Sequence, residues 1–517
     1  MEISQASVVM AYLLVVVLST WLILHLLSYQ ARALSKDANG DDGRRIPSPP
    51  SLPVVGHLHL LKKPLHRSLA ALAARYGGGR DGAGVLLLRF GARPVLFVSS
   101  PAVAEECFTV HDVALAGRPG LASRRMLTED CPTIATADYG PRWRHLRRIA
   151  TVHALCAHRL AATATARDAE ARAMAGKLWR LCRDHHGSSA ATVSVRSAAY
   201  EFVVNVIMSM VAGTRMPEDD VLRFKTMTEA GFAAAGAANR HDFLPAIRLL
   251  DFGRLKRRLA ALAKERHDFG QRVVDEYRRR HHDDASPPAT RTVIGDLLRQ
   301  QERSPESYDD DVIRSVCLAG TDTSASTIEW AMALLLNNPD VLEKAATEIE
   351  SVVGASRLLR ESDLAGLPYL RRVIMETLRL YPLAPHLVPH EASRDCVIAG
   401  GHAVARGTMV LVDVYSMQRD PYTWEEPDEF RPERFEGGYG FMMPFGMGRR
   451  KCPGEGLALR TVGVALGFML QCFKWEVVGK KEKVNMSEGS GLTMPMAVPL
   501  TVMCQPRANM ESVLMTL

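Results

Sequence analysis

The sequence has no C-x-x-C pair and no zinc-type ligand spacing. Its nine cysteines, Cys107, Cys131, Cys156, Cys182, Cys317, Cys396, Cys452, Cys472 and Cys504, are scattered and odd in number. A disulfide scaffold and a zinc module are thereby excluded, and the bulk of the chain is expected in a reducing compartment. A Walker sequence is also missing, as is a G-x-G-x-x-G after a strand, so nothing here is built to cradle NADPH or flavin. Charge of one sign is not in large excess either. The formal +7 over 517 residues is spread along the chain, which argues against a nucleic-acid binder and leaves room for one local basic face. No internal repeat and no second composition break divides the chain beyond its N-terminal part. One large domain is the simpler expectation, and a 47% hydrophobic composition can bury its core.

One long hydrophobic run is present. Val8–Leu27, "VVMAYLLVVVLSTWLILHLL", carries no charge and has about the 20 residues that a membrane-spanning helix needs. Glu2 precedes it in place of the basic start of a cleaved signal, so residues 1–29 are expected to be an anchor. Arg32, Lys36, Arg44 and Arg45 follow, and the positive-inside rule then leaves the remainder in the cytosol. In "IPSPPSLPVVGHL" the residues Pro47, Pro49, Pro50 and Pro53 force an extended, stiff stretch. Residues 30–58 are read as a linker with this spacer, and 59–517 as the globular body.

Within that body, Val85–Val98 alternates around Gly91 and Pro94 as a strand pair does. Apolar spacing of three and four predicts helices over Arg142–Leu160, Ala164–Cys182, Arg254–Arg280, Val312–Leu336, Leu342–Val353, Tyr369–Leu380 and Leu457–Phe473. Strand-like pieces fall at Cys396–Ala399, Met409–Val414 and Leu492–Met496. The fold class is therefore mainly α with small β-sheets. His281, His282, Asp283 and Asp284 stand beside Pro287 and Pro288 on a charge-rich turn and are read as a solvated loop, not a metal site.

The most informative thiol is Cys452, in "PFGMGRRKCPGEGLALR" from Pro444 to Arg460. Pro453 suits a first helical position, which places Cys452 at the N-cap, facing the positive end of the helix dipole. Arg449, Arg450 and Lys451 stand beside it, so thiolate is favoured over thiol. Such a sulfur is a ligand or a nucleophile, and no partner histidine in a recognisable setting supports the nucleophile. Farther back, Thr321, Asp322, Thr323, Ser324, Ser326 and Thr327 crowd the middle of the Val312–Leu336 helix. Polar residues there compete with the backbone, and a local rule broken mid-helix marks a site. Gly320 removes bulk, so the helix can open around a small ligand. Glu376 and Arg379 sit one turn apart, which by itself describes a surface pair.

The spacing F-x-x-G-x-R-x-C-x-G from Phe445 to Gly454 resembles the haem-binding motif of the cytochrome P-450 superfamily, and further landmarks follow over essentially the whole chain. "AGTDTS" at Ala319–Ser324 is similar to the oxygen-activation segment, "ETLR" at Glu376–Arg379 and "FRPERF" at Phe430–Phe435 to the Glu-Arg-Arg segments, and "WRHLR" at Trp143–Arg147 to the helix that meets a haem propionate. The anchor, "QRDP" at Gln418–Pro421 and the cysteine segment resemble plant microsomal enzymes of the isoflavone-2′-hydroxylase-like family.

The resemblance implies a cytochrome P-450 fold with an N-terminal transmembrane anchor, and haem b with Cys452 as axial thiolate. It also implies Phe445, Trp143, Arg147, Arg450 and His390 around the cofactor, a buried Glu376–Arg379–Arg434 network, and Asp322 with Thr323 as a proton relay. The expected reaction is hydroxylation or dealkylation of a small lipophilic substrate with O2. Electrons come from an NADPH-cytochrome P-450 reductase docked on Arg142, Arg144, Arg147, Arg148, Arg449 and Lys451. The protein is then single-pass in the endoplasmic reticulum membrane, with a cytosolic catalytic domain. Pocket contributors implied in the same way are Arg118–Ala137, Phe243–Leu250, Val316–Gly320, Leu383–Val388 and Leu492–Met494. The substrate stays open between flavonoids, other specialised metabolites and herbicide-like xenobiotics. A reductase-independent haem-thiolate isomerase or dehydratase and a non-catalytic membrane haem protein also stay open. Tyr308–Ala319 is about one helical turn shorter than the resemblance implies.

Overall fold

The alternating residues of Val85–Val98 form the antiparallel pair β1 (Val85–Phe90) and β2 (Arg93–Val98). They turn at Gly91, whose φ of +61° lies in the left-handed region that favours glycine. A computed structural model of the chain describes residues 10, 12–21, 46–77, 84–128, 132–184, 190–235, 240–244, 247, 250–281, 291–317, 320–438, 440–480 and 483–517. It packs as two units. The first comprises Met1–Pro119, Ala238–Gly253 and Pro389–Asp413, the second Gly120–Ala237, Arg254–Val388 and Val414–Leu517.

In the first unit, β2 pairs in parallel with β7 (Met409–Val412), and β7 pairs antiparallel with β4 (His390–Glu391), so the sheet order is β1-β2-β7-β4. β5 (Cys396–Ile398) and β6 (His402–Val404) form a separate hairpin. The proline-rich segment is not the free spacer expected of it. Leu87 N donates to Pro47 O at 2.8 Å, and the buried His57 ring bridges Pro49 O (2.8 Å, Nε2) and Arg89 N (2.7 Å, Nδ1). Because the Arg89 N–H must donate to Nδ1, the proton sits on Nε2 and the ring is neutral. Burial lowers its pKa in agreement with that. The prolines thus stiffen a strap that belongs to the sheet.

The second unit is helical around one hydrophobic core. Its principal helices are α1 (Pro141–Ala150), α2 (Ala164–Asp184), α3 (Val195–Ala212), α4 (Arg254–Arg280), α5 (Asp310–Cys317), α6 (Thr321–Asn337), α7 (Pro339–Val353), α8 (Pro368–Leu380) and α9 (Glu455–Cys472). A small antiparallel sheet, β3 (Ala191–Ser194), β9 (Thr501–Pro506) and β8 (Phe473–Val477), packs in that order. α6 is the axis and packs against α3, α7, α8 and α9. Trp330, Ala331, Met332, Ala333 and Leu335 on α6 are fully buried, an all-round apolar surface that only a central helix tolerates.

Three expectations are corrected. The helix expected over Val312–Leu336 is two, α5 and α6, because Gly320 adopts φ +91° and caps α6. The helix expected over Arg142–Leu160 continues from α1 as one wider turn, Thr151–Leu155, and breaks at the extended Cys156 before a short helix, Ala157–Ala162. Leu492–Met496 is not a strand; the Met496 backbone makes a single bridge to Glu488. Among described helices, α3 is long and apolar enough to cross a membrane, yet it lies in the core. Tyr12–Trp21 is a shorter apolar helix with exposed side chains. The rest of the expected anchor, residues 282–290 of the expected solvated loop and residues 129–131, 245, 246, 248, 249, 318 and 319 of the implied pocket segments lie outside the described residues.

Candidate active site

The cysteine loop is shaped by glycine conformation. Gly446 and Gly448 have φ of +71° and +67°, and a Cβ added to Gly446 would come no nearer than 3.9 Å to its neighbours, so glycine serves here for backbone geometry and not for space. Cys452 N donates to Phe445 O at 2.8 Å and closes the loop. α9 starts later than the sequence suggests. Its N-cap is Gly454, so Cys452 precedes the cap instead of occupying it.

The Cys452 thiol is accessible, and its pKa is pushed up, against the expectation of a favoured thiolate. Desolvation by the surrounding protein outweighs the Gly454 N–H, Arg147 and Lys451, which all pull it down, and Glu455 adds to the rise. Phe445, Leu457 and Leu459, on either side of it in the chain, are partly buried and pack on the core.

Two guanidiniums stand beside it. Arg147 on α1 donates to Lys451 O at 2.6 Å. Arg450 donates to Ile134 O (3.2 Å) and Ala137 O (2.9 Å) and lies 4.8 Å from the Trp143 ring centre, in cation–π contact. The Trp143 indole N–H is committed to Ile134 O at 3.0 Å. Desolvation lowers Arg147, and it lowers Arg450 to about 10, so both guanidiniums remain protonated at neutral pH in a setting that an anion would relieve. Arg142, Arg144, Arg148, Arg449 and Lys451 are exposed.

Asp322 and Thr323 lie in the first turn of α6, not in the middle of a long helix, and an acid there suits the helix dipole. Asp322 is buried and receives Arg196 Nη2 of α3 at 2.5 Å; Arg196 also meets Glu329 (3.4 Å) and the half-exposed Glu229 (3.5 Å). Burial raises the pKa of Asp322, and Arg196 opposes the rise. Thr323 is half-buried, and its hydroxyl has no partner among the described residues. Arg196 is a site residue that sequence reasoning missed; a lone arginine at the start of the apolar "VRSAAYEFVVNVIMSMVA" is the signal that could have found it.

The Glu376, Arg379 and Arg434 side chains meet. Arg379 grips both Glu376 oxygens (2.6 and 2.8 Å), and Oε1 also accepts Arg434 Nε and the Arg431 N–H, each at 2.9 Å. Arg379 Nη1 donates to Gln418 O (2.8 Å) and Pro427 O (2.7 Å). The buried Gln418, unassigned from sequence beyond its place in "QRDP", donates to Leu378 O and Arg379 O and accepts Met443 N at 3.1 Å, just ahead of the cysteine loop. His390 lies in the first unit, buried, with Nδ1 2.7 Å from Leu115 O and its ring against Phe108. It is not one of the groups that the second unit brings together.

A family model described as Cytochrome P450 matches residues 46–500. Cytochrome P450 81Q32 of Catharanthus roseus is 43% identical over 485 residues, covering 91% of this chain and 93% of the relative. A (+)-piperitol/(+)-sesamin synthase of Sesamum radiatum is 41% identical over 90% of this chain and 92% of its own. An isoflavone 2'-hydroxylase of Medicago truncatula is 40% identical over 90% and 93%.

Glu376→Gln leaves two buried guanidiniums facing a neutral amide, and breaking such a network costs about 3 to 5 kcal/mol. The expected outcome is a lower urea midpoint for the second unit, measured against the exposed Glu426→Gln as control; equal midpoints would show that the network carries no stability.

Proposed function

We propose, on the premise that this chain belongs to the cytochrome P450 family, that Cys452 is the cysteine through which this mono-oxygenase holds its haem, and that its substrate is a small, lipophilic aromatic molecule. The observation that carries the assignment is the loop that ends at Cys452, turned by Gly446 and Gly448 and closed by the Cys452 N–H on Phe445 O, with the Arg147 and Arg450 guanidiniums on the same loop. The surroundings fit the group. The donor is a soft sulfur, partly buried apolar Phe445 and Leu457 flank it in the chain, and two desolvated guanidiniums, Arg147 and Arg450, would hold the cofactor's carboxylates.

When bound, thiolate-ligated haem supplies the reduction of O2 and the transfer of one oxygen atom to the substrate. The chain's own residues orient and protonate. Asp322 retains a proton to higher pH than an ordinary carboxylate because it is buried, and the adjacent Thr323 hydroxyl passes protons onward. The names of the relatives, among them isoflavone 3'- and 2'-hydroxylases, support hydroxylation of an aromatic specialised metabolite. Electrons come from an NADPH-dependent reductase docked on the exposed Arg142, Arg144, Arg148, Arg449 and Lys451. Residues 1–29 anchor the enzyme to the endoplasmic reticulum with its body in the cytosol.

Cys452→Ser is expected to lose the Soret band typical of reduced, carbon-monoxide-bound thiolate haem, since a hydroxyl cannot replace the soft anionic ligand; an unchanged spectrum overturns the assignment. Thr323→Ala is expected to keep haem content and ligand binding while diverting NADPH to hydrogen peroxide, so product per NADPH falls in reductase-supplemented microsomes. Equal coupling would remove Thr323 from the relay. Removing Met1–Tyr29 is expected to release much of the protein from alkaline-washed microsomes with its haem intact; full retention would place the membrane contact elsewhere.

A further inference from the structure

Ahead of β9, residues 483–500 run without a helix or a strand, yet Thr493, Met494, Met496 and Leu500 within them are buried. A non-repetitive segment can hold such a position only if its backbone polar groups find partners elsewhere. Those around Met494 and Leu500 do. Met494 N donates to Leu383 O at 3.0 Å, Leu492 N reaches Phe232 O at 3.4 Å, Leu500 N donates to Glu329 Oε1 at 2.9 Å, and Leu500 O accepts Val195 N at 3.0 Å. Met494 O accepts the indole N–H of Trp330 at 2.9 Å.

That indole is fixed before the loop reaches it. Trp330 is fully buried on α6, and its ring stacks on Tyr381, with centres 3.9 Å apart and planes 12° apart. An indole so confined has one place to put its N–H, so the depth of Met494 follows from the ring. The segment also spans the two halves of the site. The Thr493 hydroxyl acts on the Asp322 carboxylate. On the other side, Leu383 leads to Leu387, whose methyl groups stand 3.9 Å from the position of a Gly446 Cβ in the cysteine loop. The half-buried Leu492 side chain is the segment's free apolar end.

We propose that Trp330 is a specificity-determining positioning residue: through Met494 O it sets how deeply the Leu492–Met494 segment reaches over the ligand space, and so which ligand lengths fit. The proposal rests on the haem assignment above and names what bounds the substrate at that same site. Trp330 touches neither cofactor nor substrate and acts through the loop.

Trp330→Phe keeps an aromatic ring on Tyr381 and deletes the donor, while Trp330→His keeps a ring N–H. The half-buried Trp179→Phe controls for general tryptophan loss. Two readouts need no knowledge of the physiological substrate. Hydrogen exchange at the Met494 and Leu500 amides should quicken at least ~fivefold in Trp330→Phe, because the opening of the segment no longer breaks the indole bond. Spectral titration of the haem-loaded full chain with imidazole and a series of 1-n-alkylimidazoles should show imidazole affinity unchanged and the preferred alkyl length shifted. The affinity ratio of the longest to the shortest probe should change by ~threefold or more, and Trp330→His should fall between.

Unchanged exchange, or faster exchange with an unchanged probe series, overturns the proposal. If Trp330→Phe is recovered without haem, Leu492→Ala decides, since it shortens the segment's side chain and leaves its backbone ties in place: an altered probe series supports the proposal and an unaltered one overturns it. A wild-type chain that gives neither a thiolate carbon-monoxide band nor any imidazole response fails the haem assignment itself, a result distinct from these.

Discussion

The Glu376 carboxylate is the constraint from which the cysteine side of the site is hung. A fully buried carboxylate costs several kcal/mol in lost hydration unless its lone pairs are filled. Here Arg379, Arg434 and the Arg431 N–H fill them. Arg379 in turn must satisfy its remaining N–H groups, and it does so on the carbonyls of Gln418, Pro427 and Glu429. Gln418 closes the circuit by accepting Met443 N, so the loop that presents Cys452 begins from a point fixed by the same charge. A surface pair of the same residues would be worth a few tenths of a kcal/mol and would organise nothing.

α6 performs the complementary task. Its first turn carries Asp322 and Thr323, its middle is an apolar axle, and Glu329 and Trp330 capture the backbone of the segment that leads into β9. One helix can do all three because Gly320, at φ +91°, caps α6 and lets it begin where the polar residues are needed. Arg196 is the cost-bearing partner in this arrangement. Its single charge is shared between two buried carboxylates, Asp322 and Glu329, and burial raises the pKa of both.

Much of the fold was legible from periodicity. α4 falls on the expected residues, and α2, α7, α8 and α9 are offset by a few residues at one end or the other. The misses share one cause. A 3.6-residue apolar period continues through a left-handed glycine or a single extended residue, so the sequence pattern could not reveal the breaks at Gly320 and Cys156. Nor could alternation in Leu492–Met496 distinguish a strand from a segment pinned by side chains such as Trp330. The proline-rich stretch was read for its stiffness, and its hydrogen bonds to β1 depend on His57, whose partner Arg89 is 32 residues away.

The sequence by itself determined the family, the cysteine that the spacing Phe445–Gly454 singles out, and the pairing potential of Glu376 with Arg379, since each is written in local spacing. Only the tertiary structure decided the energetic character of those groups. Neighbouring cations and an adjacent helix both favour a Cys452 thiolate, yet the protein packed around it desolvates the sulfur and reverses the sign. Burial converts the Glu376 pair from a minor surface contact into an obligatory network. Asp322 passes from a polar residue on a helix to one bound by Arg196, 126 positions away. Spacing reports which groups can meet along the chain, whereas charge stability depends on everything that excludes water around them, and that is assembled from distant segments.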